Sequence, residues 1–151
     1  MSSIKELIEG LDRAIEMERS AMQIYQSARH RAAASQEALR LEQIEQAHLA
    51  QMQRMEVEKE RVQHADGESL IGDAMESIGK AFTDLLAGIP VTLIEESTVP
   101  TPATLRRLEE ELLGFYQRLL LLADPHTRVL METAITAGRE HVAELERIET
   151  L

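Results

Sequence analysis

The chain is predicted to fold as an all-α four-helix bundle, two antiparallel helical hairpins joined by a long crossover that contains an additional short helix. Three observations predict it. Apolar residues recur by alternate threes and fours through four long stretches, the spacing of one buried helical face. Ala, Leu, Ile, Glu, Gln and Arg dominate, with seven glycines, four prolines and two each of Phe and Tyr, a helix-forming composition. The turn and start signals Asp66-Gly67, Thr101-Pro102 and Asp124-Pro125 fall between those stretches. At 151 residues the chain fits one domain, residues 1–151, and can bury a real core.

The first helix is expected over about 4–33, opened by a capping box of Ser3 and Glu6, with Ile4, Ile8, Leu11, Ile15, Glu18, Met22 and Tyr25 inward. Ser35 caps the second, about 36–65, and the short turn between them makes the pair antiparallel neighbours. On the second, Leu41, Glu45, His48, Met52 and Met55 share the inward face. A weaker amphipathic helix follows over about 69–87, ended by Gly88 and Pro90, and residues 91–99 read as extended chain; together they make the crossover. The third helix, about 102–123, presents Leu105, Glu109, Leu112, Tyr116 and Leu119. The fourth, about 125–150, presents Met131, Ala134, Gly138, His141, Leu145 and Ile148.

Charge and composition exclude some functions. With a net charge of −11 spread along the chain, nucleic acid and anionic membranes are poor partners. There is no cysteine, so disulfides, thiolate metal sites and thiolate-ligated iron centres are excluded. The first six residues are already charged and no continuous apolar run follows, so neither a signal peptide nor a membrane anchor is expected, and the protein is expected in the cytoplasm. The run Leu119–Leu122 covers all sides of a helix, more than one bundle seam requires, and predicts a homo-oligomer, a dimer or larger.

Five polar residues interrupt the inward stripes: Glu18, Glu45, His48, Glu109 and His141. A buried unpaired carboxylate is costly, and it is neutralised, paired or bound to metal. Glu45 and His48 lie three apart, so their side chains emerge about one turn from each other. The two halves also echo one another. Glu18 precedes Tyr25 by seven residues and Glu109 precedes Tyr116 by seven, while His48 and His141 follow those tyrosines by 23 and 25, as in a duplicated hairpin.

A Glu on each of two helices, with Glu-x-x-His on each of the other two, is the ligand set of carboxylate-bridged di-iron and di-manganese bundles. With E-x6-Y and E-x-x-H in this order, residues 4 to 63 and 102 to 150 resemble the ferritin-like superfamily, closest to the rubrerythrin-type proteins without a rubredoxin domain. The resemblance implies that Glu18, Glu45, His48, Glu109 and His141 are metal ligands for two iron ions, with manganese or zinc as alternatives. It implies Tyr25 and Tyr116 as redox-active groups or hydrogen-bond donors beside them; a core tyrosine whose hydroxyl finds a partner is the simpler account of each. The implied function is oxidation of Fe(II) with O2 or peroxide, in iron handling or peroxide defence, and peroxidase turnover would need an external electron donor.

The fourth helix departs from that pattern. Gly138 stands where the sixth ligand is expected. Glu140 is two residues on, displaced around the helix, and Glu144 lies one turn too far along, so neither is a clean substitute. Two divalent ions would outweigh the three remaining carboxylates, so one site is expected to be weak or empty unless an exogenous oxide bridge makes up the charge. Two other outcomes are consistent with the residues: a non-catalytic metal carrier or iron-storage subunit, and a structural bundle with a decayed site whose acids pair with arginines.

Overall fold

The computed structural model describes residues 4–32, 34–66 and 100–150. They form four helices: α1 (Ile4–Arg31), α2 (Ser35–Asp66), α3 (Pro102–Leu120) and α4 (Pro125–Glu149). No strand occurs among the described residues. Ser3, the helix expected near 69–87 and the extended segment over 91–99 lie outside them.

The two proline-opened helices begin as their sequence dictates. Thr101 has extended backbone and its side chain accepts the backbone N–H of Thr104 at 3.2 Å, with Pro102 at the first helical position. Asp124 does the same for Thr127 at 2.7 Å, with Pro125 following. Each cap satisfies a donor that the first turn of a helix leaves unpaired, and proline has none to lose there.

Packing fixes the topology. α1 packs on α2, α3 on α4, α1 on α3 and α2 on α4, so α1 and α4 are diagonal, as are α2 and α3. Ion pairs fix the directions. Arg61, near the end of α2, meets Asp124 at the start of α4 at 2.9 Å, and Arg40, near the start of α2, meets Glu144 late in α4 at 3.4 Å. Arg106, early in α3, meets Glu149 at the end of α4 at 2.8 Å. The hairpins are thus antiparallel within themselves, α2 runs parallel to α3, and the two ends that residues 67–99 join lie at opposite ends of the bundle. That is the long crossover of the sequence expectation.

The inward seams of α3 and α4 hold the residues their periodicity selects, with Leu105, Glu109, Leu112, Tyr116 and Leu119 buried on one and Met131, Ala134, Gly138, Leu145 and Ile148 on the other. On α1 and α2 the seam runs in a different phase. α2 buries Leu41, Ile44, His48, Gln51, Met55, Glu58 and Val62, steps of three then four, whereas the sequence suggested four then three. Both series share Leu41, His48 and Met55. The intervening positions change, so Glu45 and Met52 lie on the flank while Gln51 and Glu58 face in. The same shift on α1 places Ala14, Ala21 and Ala28 in the core and leaves Ile8 and Met22 half-buried. Small alanines let the helices of the first hairpin approach closely, and they carry too little hydrophobic signal to set the phase by eye.

Near the Asp124 end, α2 is fastened to α4 by a buried carboxylate. Glu58 accepts the Thr127 hydroxyl at 2.5 Å, the Arg61 guanidinium at 2.7 Å and the His126 Nδ1 at 3.0 Å, while Arg61 also reaches Asp124. Burial pushes Glu58 up, but Arg61, Thr127 and His126 outweigh it and hold the carboxyl below its ordinary value. Among the described residues no helix is long and apolar enough to cross a membrane. The leucine run divides: Leu119 is in the core, Leu120 and Leu122 are half-buried, and Leu121 is 85% exposed.

Replacing Glu58 with Ala should cost about 2 kcal/mol in urea unfolding, since three partners lose their acceptor. Because its folded pKa is depressed, the stability Glu58 contributes is present above the ordinary carboxyl range and lost as pH falls through the folded value. Glu58→Gln should therefore show a shallower loss of stability than the parent between neutral and acid pH. An identical acid limb in the two proteins would refute the assignment.

Candidate metal centre

Midway along the bundle the core turns polar. Each helix brings buried hydrocarbon on both sides of this belt: Leu11 and Ala28 on α1, Leu41 and Met55 on α2, Leu105 and Leu119 on α3, Met131 and Leu145 on α4. Within it, Glu18 and Glu109 are each 1% exposed and His48 is 3% exposed. The His48 ring bridges the two acids, with Nδ1 2.5 Å from Glu18 Oε2 and Nε2 2.5 Å from Glu109 Oε1. Burial alone would drive the imidazole to its neutral form, but Glu109 and Glu18 together outweigh it and raise the pKa well above the ordinary value. His48 is then an imidazolium between two carboxylates. Burial likewise pushes Glu109 up, yet His48 and His141 hold it down to about 2.

The tyrosines explain the echo between the two halves. Tyr25 of α1 donates its hydroxyl to Glu109 Oε1 of α3 at 2.6 Å, and Tyr116 of α3 donates to Glu18 Oε1 of α1. Each tyrosine serves the acid of the other hairpin. The antiparallel contact of α1 with α3 requires this crossing, because a spacing of seven brings Glu18 level with Tyr116 when it brings Tyr25 level with Glu109. Burial, then the adjacent carboxylates, raise both phenols well above their ordinary pKa, so both remain neutral donors.

His141 completes the belt from α4. Its ring centroid is 5.1 Å from that of His48, and its Nδ1 lies 3.5 Å from Glu109 Oε1 without making a hydrogen bond. One ligating atom from each of His48, Glu109 and His141 falls within a 4.8 Å group, a set that can hold a metal ion. Beside it is a cavity of about 40 Å³, lined on its polar side by Glu18, His48, Glu109 and His141 and on its apolar side by Leu112, Leu113, Ala134 and Gly138. Two imidazoles and a carboxylate suit Fe(II), Mn(II) or Zn(II), and the buried Nδ1 of His141 makes no hydrogen bond, with Glu109 the nearest acid at 3.5 Å. The residues present fit a metal ion.

The remaining expected ligands sit differently. Glu18 meets His48 at Nδ1, behind the ring. Glu45 lies on the flank of α2 and accepts the Arg29 Nε at 2.9 Å. Glu140 is exposed, and Glu144 pairs with Arg40 and Arg147. At Gly138 a Cβ would lie 2.8 Å from Leu113 Cδ2, so Leu113 of α3 packs into the space where a side chain at 138 would start. Periodicity missed Gln51, which lines the cavity at 5% exposure; its spacing of three from His48 was the available signal.

Tyr25→Phe and Tyr116→Phe should each cost about 2 kcal/mol in chemical unfolding of the metal-free protein, because each leaves a buried carboxylate short of a donor. Their effects should depart from additivity, since Glu18 and Glu109 are coupled through His48. Strict additivity would show that the belt is not one network.

Compared with protein-family models, with curated proteins and with solved structures, the chain shows no significant match.

Proposed function

We propose that the protein is a ferritin-like metal-binding bundle that holds one divalent transition-metal ion between His48, Glu109 and His141, and that its function with iron is oxidation of Fe(II) by O2 or peroxide. The observation that carries the metal reading is the convergence of those three groups, one of them with a buried nitrogen that makes no hydrogen bond, beside a cavity midway along the bundle. Fe(II) and Mn(II) suit a nitrogen and oxygen donor set without thiolate, and Zn(II) is the competitor on affinity.

The chain's own residues divide the work. His48 presents Nε2 as a ligand once that nitrogen gives up its proton, while Nδ1–H stays on Glu18, the carboxylate-to-histidine arrangement that fixes the ring and its tautomer. Uptake should therefore strengthen as pH rises. Tyr116 steadies Glu18, Tyr25 steadies Glu109, and hydrocarbon flanks the belt along the bundle axis on both sides. When bound, a redox-active ion supplies one-electron chemistry toward O2 or peroxide. A second ion would require Glu45 to leave Arg29 and a new ligand where Leu113 packs on Gly138. This supports one ion per chain over two.

A second reading has its own support. Both nitrogens of His48 already have carboxylate partners and Glu45 has an arginine, the pairing expected of a structural bundle whose site has decayed.

Anaerobic loading with Fe(II), followed by iron per chain before and after air, separates these. One iron is expected in the parent and in Glu45→Ala, and none in His48→Ala or Glu109→Ala. Two irons in the parent, one of them lost in Glu45→Ala, would overturn the single-ion assignment; none in the parent would favour the structural bundle. Gly138→Glu alone should unfold more readily because of Leu113, whereas Gly138→Glu with Leu113→Ala and Arg29→Ala, which also frees Glu45, should take up a second ion.

A further inference from the structure

We propose that the cavity beside His48, Glu109 and His141 is a binding site for a small anionic ligand of two or three non-hydrogen atoms, held by the side-chain amide of Gln51. The proposal rests on the metal reading above and names what binds next to the ion. Gln51 lies one turn after His48 on the buried face of α2 and lines the cavity. Its Oε1 accepts the Arg54 guanidinium at 2.8 Å, which settles which end of the amide is which. A guanidinium has only donors, so the oxygen must face Arg54 and the Nε2 donors are left to the interior. There Nε2 is buried and has no hydrogen-bond partner among the described residues.

An orphaned buried donor is destabilising, and a native core seldom keeps one without a use. Here it belongs to a residue lining the same cavity as the ligating groups. Room is adequate: one water needs about 10–15 Å³ of such space, and the cavity offers about 40 Å³. The apolar wall of Leu112, Leu113, Ala134 and Gly138 offers no competing polar group, and it exists in this form because Gly138 lets Leu113 close in. Charge favours an anion. A divalent ion attracts an anion into its open position, and Arg54, exposed but also on the lining, adds a solvent-screened positive charge on the same side. The ligand would accept from Gln51 Nε2 at one end and meet the ion at the other.

Azide titrated into the cobalt(II)-loaded protein, followed by the cobalt ligand-field absorption, tests this. The parent should bind one azide per cobalt. Gln51→Leu should keep its cobalt stoichiometry and lose about tenfold or more in azide affinity, as expected for a hydrogen bond to a charged group. Without cobalt its urea midpoint should be unchanged or higher, because the orphaned donor is gone. Arg54→Ala, at an exposed position, should weaken azide in the same direction by freeing the amide to turn and removing the positive charge, and it carries the test should Gln51→Leu fail to fold. Cobalt binding with no azide response in the parent, or parental azide affinity in either folded variant, overturns the anion site and leaves the metal reading standing. Failure of the parent to bind cobalt overturns both.

Discussion

Glu18 and Glu109 sit in the middle of the bundle with almost no access to water, and the fold is tenable only because His48 lies between them. Taking two carboxylates out of water costs several kcal/mol each unless they are paired and hydrogen-bonded. The imidazolium provides a cation that both acids share, 2.5 Å from each, and the tyrosines provide a neutral donor to each acid. Every helix that contributes to the belt must hold its register against the others to within a fraction of a turn. A slip of one residue on α1 would turn Glu18 by about 100° and leave it buried without His48 or Tyr116. The polar belt therefore specifies how the hydrocarbon layers on either side align.

That belt is symmetric in its acids and tyrosines and asymmetric in what surrounds them. α2 contributes His48 to the bridge itself, while His141 of α4 stands off, its Nδ1 3.5 Å from Glu109 without a hydrogen bond. Glu45 is taken by Arg29 at the flank, and on α4 the corresponding place is a glycine covered by Leu113. One part of the centre thus has three groups that could hold a metal ion in reach of one another, and the part next to it is a hydrocarbon wall. Gly138 and the inward packing of Leu113 go together, since the leucine occupies the space where a side chain at 138 would start.

Much of this was legible in the chain. Four helices, two of them with proline-led starts, the crossover between hairpins and the interrupted stripes of α3 and α4 follow from periodicity and capping alone, because bulky residues mark the seam there without ambiguity. The first hairpin was harder. A three-four stripe and a four-three stripe share every second member, and on α2 those shared positions are Leu41, His48 and Met55. Deciding between Glu45 and Ile44, or Met52 and Gln51, depends on how α2 is rotated against α1 and α4, which is a property of the packed bundle and of small alanines that no single stretch displays. Hence His48 was visible as an inward residue while Gln51 and Glu58 were not. The tyrosine pairing was hidden in plain view, since the spacing repeats but only the antiparallel contact of α1 with α3 shows that each partner lies in the other half.

The crossed pairs also bear on how the chain acquires its structure. A hairpin of α1 and α2 standing alone would hold Glu18 and His48 together but would have no donor for the second oxygen of Glu18, and its own Tyr25, though packed beside His48, would have no carboxylate to donate to. In α3 and α4 alone Glu109 would lose both of its hydrogen-bond partners, Tyr25 and His48, and keep only His141 at 3.5 Å, while Tyr116 would lose its acceptor Glu18. Neither half alone supplies all the partners of its acid, so the belt is complete only with both halves packed together. Two copies of one ancestral hairpin, related by a two-fold axis, would satisfy the same crossed pairs, each copy supplying the tyrosine the other lacks. Joining them in one chain keeps that mutual dependence and releases the two histidine-bearing helices, α2 and α4, from having to be alike.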